Sequence, residues 1–574
     1  MNTQGVVTGI NASLVKVKFD GMVRQNEICY LHLGGTQLKS EVIRIKGDQA
    51  EVQVFESTKG LRPGDSAHFT GELLSVELGP GLLGQIFDGL QNPLDQIAKE
   101  TGFFTPRGFE VPKLSRANSW AFTPTTFKKE KLIGGQPLGF VQEKAFKHQI
   151  FLPFDCIGTW EILSIAPAGD YHLDQSIGHA RGPHGEQRDL FLSFQWPVKR
   201  PIQAFMERLA PSKPLITQIR LVDGLFPVAK GGTYCIPGPF GAGKTVLQQL
   251  TSRYAEVDVV IIAACGERAN EVVETIYEFP KLNDPKTGKS LMERTIIVCN
   301  TSSMPVAARE SSVYTAVTLA EYYRQQGLDV LLLADSTSRW AQALRERSGR
   351  LEEIPGEEAF PAYLESVIAA FYERAGLVRL LDGHLGSVTI GGTVSPAGGN
   401  FEEPVTKATL KVVGAFHALS RERSDARKFP AIDPLESWSK YQGVIPPEAR
   451  AGINQLLHQA KQVEQMMKVV GEEGTSQEDF LLYLKGELFE RVYLQQNAFD
   501  AVDAACNSER QTFAYNLIKQ VIDSPLAPET KDQARALFHQ IRQHLLDFNA
   551  APWGSEALKT QVAQLQELLT QEAA

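Results

Sequence analysis

The sequence predicts a multidomain α/β protein, and three observations carry that prediction. Short apolar–polar alternating runs of period two fill residues 1–70, as half-buried strands should. Between 201 and 440, apolar strand-like runs alternate with amphipathic stretches, the pattern of a mostly parallel sheet with crossover helices. From 441 to 574, apolar residues recur at i, i+3 and i+4 with few β-branched runs, so this end reads as a helical bundle. A chain of 574 residues is too long for one core. Its expected domains are 1–70, 71–200, 201–440 and 441–574.

Within the first segment, Leu14-Val-Lys-Val-Lys-Phe19, Ile43-Arg-Ile-Lys46 and Ala50-Glu-Val-Gln-Val54 alternate cleanly, and Gly47-Asp48 supplies a turn. Strands at this spacing predict a small closed β-barrel, more often an assembly collar than a catalytic unit. Gly79-Pro-Gly-Leu-Leu-Gly84 then reads as a punctuated linker. The aromatics, prolines and glycines beyond it predict an irregular β-rich insertion that packs or meets a partner. His179-Ala-Arg-Gly-Pro-His184 lacks a carboxylate or cysteine at ligand spacing, so it is not read as a metal site.

The third segment opens on Gly238-Pro239-Phe240-Gly241-Ala242-Gly243-Lys244-Thr245, which fits G-x-x-x-x-G-K-[ST]. The glycines allow a tight turn whose N–H groups point inward, and the helix that follows offers its positive end to phosphate. Lys244 is then expected at the β- and γ-phosphates, and the Thr245 hydroxyl on Mg²⁺. The flanks agree: Thr233–Ile236 reads as strand and Val246–Leu250 as helix.

Two further stretches complete this segment. Val257–Cys265 is a buried strand followed by Gly266-Glu267-Arg268. Ligands of open parallel sheets bind beyond the carboxyl ends of the strands, where Glu267 can polarise a water and Arg268 can offset developing charge. A surface ion pair at a strand end accounts for the same two residues equally well. Asp329-Val-Leu-Leu-Leu-Ala-Asp335 is an apolar run ending in aspartate, the second Mg²⁺-associated element of P-loop enzymes. Arg339, Arg345, Arg347 and Arg350 follow it, most of them read as a solvated helix face. In the last segment helices are expected at Ala449–Val470, Lys531–Leu546 and Ser555–Glu572, with breaks at Pro525, Pro528 and Ala551–Gly554.

Composition excludes several classes. A net charge of −9 gives no sign of a nucleic-acid surface. Six cysteines without C-x-x-C spacing argue for a reducing compartment and against disulfides or zinc. The N-terminus lacks signal-peptide regions, and no apolar run reaches the length of a membrane span, so a membrane role is expected to act through partners.

Taken with further motifs, the chain resembles the catalytic A (alpha) subunit of the prokaryotic V/A-type rotary ATPases along nearly its whole length. The resemblance rests on Gly79–Leu90, Trp196–Pro201, Leu225–Gly232, Cys265–Arg268, Ser303–Glu310, Asp335–Trp340, Phe371–Gly376 and Gln495–Asp500. It implies a RecA-like P-loop domain that hydrolyses or makes ATP, coupled to H⁺ or Na⁺ transport through a rotating central stalk. It places nucleotide on Gly238 through Val246, with Lys244 catalytic, Glu267 as the water-activating carboxylate and Arg268 beside it on phosphate. Mg²⁺ falls to Thr245 and, through water, to Asp335, and no other metal is expected. Phe429 and Phe499 fall on the positions that sandwich adenine, although each phenylalanine reads bottom-up as ordinary core.

The resemblance also implies partners. B subunits alternate with this chain in an A₃B₃ ring and supply an arginine in trans. Central-stalk and peripheral-stalk subunits and, indirectly, a membrane ring complete the assembly, on the cytoplasmic face of the membrane and without nucleic acid. Departures from the family pattern include Ala359-Phe360 for the usual Gly-Tyr and Asn400 for a common aspartate. The competing readings are a related ring-forming ATPase, such as an RNA translocase or secretion motor, and a non-catalytic nucleotide-binding subunit.

Overall fold

The computed structural model describes residues 3–102, 106–239, 241–302 and 304–572. The chain forms two compact units, the first made of Met1–Ala210, Val257–Thr393 and Lys407–Thr409, the second of Pro211–Glu256, Val394–Thr406 and Leu410–Ala574. In chain order the elements that matter begin with strands β1 (Thr3–Asn11), β2 (Leu14–Phe19), β3 (Glu27–Leu33), β4 (Thr36–Lys46), β5 (Gln49–Val54) and β6 (Ser66–Leu73). Then come helices α1 (Leu94–Thr101) and α2 (Arg220–Leu225), strand β7 (Thr233–Pro237), α3 (Lys244–Tyr254), β8 (Val259–Glu267) and α4 (Ala269–Glu278). They are followed by β9 (Thr295–Thr301), α5 (Val306–Gln325), β10 (Asp329–Asp335), α6 (Thr337–Arg350) and β11 (Leu385–Val394).

In the first unit, β1 to β6 close into a barrel in the order β1-β2-β5-β4-β3-β6. Closure pairs every strand edge, and the inward residues Val15, Val17, Leu31, Leu38, Val42, Val52 and Phe69 form one apolar core. The insertion is β-rich as expected, with two four-stranded antiparallel sheets between Ser119 and Leu190. Two features differ from the sequence reading. Helix α1 lies in a stretch read without helices. His179 does have a carboxylate: it sits opposite Asp189 across a strand pair, with Nδ1 2.7 Å from Oδ1. Strand pairing makes that contact, so the local spacing hid it.

The core of the first unit is parallel. Strand β8 lies between β9 and β10, and β10 pairs with β11. Its Val-Val-Ile-Ile-Ala-Ala-Cys run is apolar on both faces, as a strand covered on both sides must be. Helix α5 is buried almost all round, so its charges need internal partners. Glu321 pairs with the buried Arg374, whose Nη1 also donates to the Val198 carbonyl at 2.7 Å. Glu310 pairs with Arg347, which also donates to Tyr363 Oη at 3.2 Å. This corrects the solvated-face reading of the arginines on α6. The Arg347 side chain is 14% exposed, Arg345 lies 4.9 Å from the Phe360 ring, and Arg350 donates to Ser13.

In the second unit, β7 pairs in parallel with the short strand Ala415–Phe416. The C-terminal part is helical: α7 (Pro447–Val470), α8 (Gln477–Phe489), α9 (Ser508–Asp523), α10 (Lys531–Ala550) and α11 (Glu556–Glu572). Thr530 and Gln533 close a capping box at the start of α10, which explains the sharp restart after Pro525 and Pro528. All six cysteines are buried free thiols. Among the described residues no helix is long and apolar enough to cross a membrane.

Candidate functional site

The fold divides the predicted site residues: Gly238–Val246, Phe429 and Phe499 belong to the second unit, Glu267, Arg268 and Asp335 to the first. Phe240 of the loop and Ser303 of the motif Ser303–Glu310 lie outside the described residues.

The loop of the second unit is built by its glycines. Gly241 and Gly243 take φ +80° and +86°, where only glycine is at ease, and neither has an atom within 4 Å of where a Cβ would stand. Gly238 is limited by space instead, since a Cβ there would lie 2.7 Å from Leu419 Cβ. Gly243 is the N-cap of α3 and brings no capping side chain, and the first turn carries no acidic residue. The helix itself therefore places no acidic side chain at its positive end. Pro239 accepts a 3.3 Å hydrogen bond from the Ala242 N–H and closes the turn. Lys244 Nζ donates to the Gly238 carbonyl at 2.9 Å and to Ser395 Oγ at 2.5 Å, so the ammonium arches over the loop. Thr245 is half-buried in the first turn of α3, and Val246 is on the exposed side.

In the first unit, strand register sets the carboxylates. Ala264 stands opposite Asp335, so Glu267 lies three residues beyond that level on the neighbouring strand. Strand β8 runs on to Glu267, two residues past the predicted end at Cys265. Its register shifts between Cys265 and Glu267, where Gly266 has φ +99°. Glu267 is 6% exposed, so it is not half of a surface ion pair. Its carbonyl accepts from the Ser302 N–H at 3.0 Å. Arg268 is exposed at the N-cap of α4. Asp335 Oδ1 accepts from Thr393 Oγ1 at 2.5 Å, and the Thr393 carbonyl accepts from Thr337 Oγ1 at 2.9 Å. Burial pushes the neighbouring Cys265 thiol up to about 12, so it stays protonated and unreactive.

The two phenylalanines are not equivalent. Phe429 is half-buried, whereas Phe499 is 95% exposed, which overturns the core reading for Phe499. Their segments are joined, because the Phe429 carbonyl accepts from the Gln496 N–H at 2.8 Å. Sequence reasoning missed Thr393 and Ser395. Both lie at the carboxyl end of β11, and the available signal was a third parallel strand running into polar residues there.

Four family descriptions match in chain order. The beta-barrel domain of the ATP synthase alpha/beta family covers 7–71, and the ATP synthase alpha/beta subunit barrel-sandwich domain covers 111–199. The nucleotide-binding domain of the same family covers 218–439, and the C-terminal domain of V and A type ATP synthase covers 447–524. The fold and the loop thus define a P-loop subunit of the ATP synthase alpha/beta class.

Relatives narrow this further. The V-type ATP synthase alpha chain of Treponema denticola is 63% identical over 558 residues, 97% of this chain and 95% of that protein. The V-type ATP synthase alpha chain of Borreliella afzelii is 58% identical over 569 residues, 99% of each. The chain belongs to the family of V-type ATP synthase alpha chains. A solved structure of the assembled ATPase EscN from the type III secretion system of enteropathogenic E. coli aligns with TM-score 0.63 over 90% of this chain and 99% of that one. At 21% identity that likeness is one of fold.

Proposed function

We propose that this chain carries the catalytic groups for MgATP hydrolysis, or synthesis in reverse, in an assembly that moves H⁺ or Na⁺ across a membrane. As a V-type ATP synthase alpha chain it is an ATP hydrolase/synthase subunit. The observation that carries the detailed reading is the loop. Gly241 and Gly243 open the first turn of α3 at positive φ, and Lys244 Nζ arches back to Gly238 and Ser395.

In this reading residues Gly238–Val246 cradle the phosphates and Lys244 contacts the β- and γ-oxygens. Glu267 accepts a proton as water oxygen attacks the γ-phosphorus and the bond to ADP breaks. Arg268 stabilises the charge on the departing phosphate. Phe429 and Phe499 stack on the two faces of adenine. The Thr245 hydroxyl and the Asp335 carboxylate are hard oxygen donors that suit Mg²⁺, with Asp335 acting through water. Among the described residues no three His, Cys, Asp or Glu gather as a metal cluster. A hydroxyl, one carboxylate, waters and phosphate oxygens are an ordinary Mg²⁺ set that needs no such cluster. When bound, the ion neutralises phosphate charge.

The partners proposed are B subunits in an A₃B₃ ring, central-stalk and peripheral-stalk subunits, and a membrane ring on whose cytoplasmic side the chain is held. The B subunit's arginine completes the catalytic groups. An ATPase assay tests this on the chain alone and on the complex. Addition of partner should raise turnover by about 10³–10⁵. Full activity of the isolated chain removes the trans arginine from the account, and a complex that binds ATP without turning it over removes catalysis.

A further inference from the structure

Phe499 is 95% exposed, yet the chain that carries it is tightly held. Asn497 Oδ1 accepts from the Phe499 N–H at 3.1 Å. Asp500 Oδ1 accepts from the N–H groups of Val502 and Asp503, both at 2.8 Å. Asp503 Oδ2 accepts from the Asn497 N–H at 2.7 Å. The ring is thus displayed to solvent from a loop whose backbone is already fixed.

That loop is anchored from the inside by Arg220 of α2, which is 1% exposed. Its Nε donates to the Tyr493 carbonyl at 2.9 Å, Nη2 to the Gln495 carbonyl at 2.5 Å and Nη1 to Asp503 Oδ1 at 2.6 Å. Its backbone N–H donates to Gln496 Oε1 at 2.7 Å. Gln496 Nε2 donates in turn to the Asp503 carbonyl at 2.9 Å and the Gln218 carbonyl at 3.2 Å. The backbone N–H of Gln496 holds the Phe429 carbonyl at 2.8 Å. Glu490, just before this loop, binds both Lys428 and Arg423 on the segment leading into Phe429. Both phenylalanine-bearing segments therefore hang from one buried polar core. The planar guanidinium fork serves the three acceptors from three different nitrogens at once.

We propose that Arg220 and Gln496 are positioning residues for the base: they set the spacing of Phe429 and Phe499 so that adenine enters a slot formed in advance. The proposal rests on the reading of those two rings as the adenine platform. It predicts an effect on recognition of the base and none on phosphate chemistry. The ligand class concerned is the nucleotide base, whose two π-faces stack on rings held at a fixed gap.

The test compares Gln496→Met, Arg220→Lys and Phe499→Ala in the assembled complex. KM and kcat are measured for ATP, and inhibition is measured for inorganic tripolyphosphate, which has no base. Gln496→Met and Arg220→Lys should raise the KM for ATP about tenfold, as partial loss of stacking does, with kcat and tripolyphosphate inhibition unchanged. Equal weakening of ATP and tripolyphosphate overturns the proposal, because a merely structural defect spares neither. So does an unchanged KM in Gln496→Met when Phe499→Ala raises it. An unchanged KM in Phe499→Ala overturns the adenine reading itself and the proposal with it. If Arg220→Lys does not fold, Gln496→Met decides.

Discussion

The glycine-rich loop and the carboxylate-bearing strand ends reach their geometry by different routes. In the loop, Gly241 and Gly243 sit at φ +80° and +86° in open space, so backbone conformation alone demands glycine. At the strand end, Gly266 at φ +99° is hemmed in as well, since a Cβ would lie 3.1 Å from Arg309 Cδ and 3.2 Å from Arg339 Cβ. The Lys244 ammonium is held by Gly238, 6 residues earlier, and by Ser395, 151 residues later. Glu267 and Asp335 are set by strand register and by Thr393, 58 residues beyond Asp335. The contrast separates a backbone turn encoded by closely spaced glycines from side-chain positions that exist only once distant strands have paired.

Substitutions put that contrast to the test. A large effect is expected in the loop. Lys244→Ala should leave the fold intact and lower kcat of the assembled complex by about 10²–10³, the cost of removing one preorganised electrostatic group. Steady-state ATPase assays with a melting control check it. At the strand end the effect should appear first as metal dependence. Thr393→Val keeps shape but removes the hydroxyl that orients Asp335. The Mg²⁺ concentration for half-maximal activity should rise by about 10–100-fold, as when a supporting partner of a ligand is lost. An unchanged Mg²⁺ curve would detach Asp335 from the metal.

A third prediction concerns pH. His417 is buried beside β7: its N–H donates to the Cys235 carbonyl at 2.9 Å, and its ring lies 5.3 Å from that of Tyr234. Nε2 donates to the Phe226 carbonyl at 2.8 Å. Burial pushes its pKa down to about 4. The unfolded chain binds a proton near pH 6.5 while the folded chain does not, so stability is full above about pH 6.5 and is lost as pH falls toward 4. Between pH 7 and 5 this group removes about 2 kcal/mol. His417→Gln should lose that much less over the same interval in denaturant titrations.

The smallest effect is expected at Ala359, which bears φ +62° without being glycine. Ala359→Gly relieves a left-handed backbone and should stabilise the chain by about 0.5–1 kcal/mol, net of glycine's entropy cost. An unchanged melting temperature would mean the surrounding segment already accommodates the strain.

The same contrast explains what was legible in the sequence. Strand β10 matches the predicted Asp329–Asp335 residue for residue, and α3 contains the predicted helical stretch Val246–Leu250, because both signals are local. The end of β8 was misjudged because Gly266 bends the strand without ending it. Arg347 read as solvated because its partner Glu310 lies on a different helix, 37 residues earlier. Arg220 and Asp503 are 283 residues apart, and no spacing rule joins them. Phe499 read as core because apolar character is visible in a sequence, whereas the polar loop that holds the ring in solvent is not.

Glu267, buried at the end of β8, is the group proposed to activate the attacking water. Glu267→Gln in the assembled complex tests it most directly, with nucleotide affinity and single-turnover hydrolysis measured on the same preparation. Affinity should stay within a few-fold of the parent, and hydrolysis should slow by about 10²–10⁴. Hydrolysis near the parental rate would contradict it.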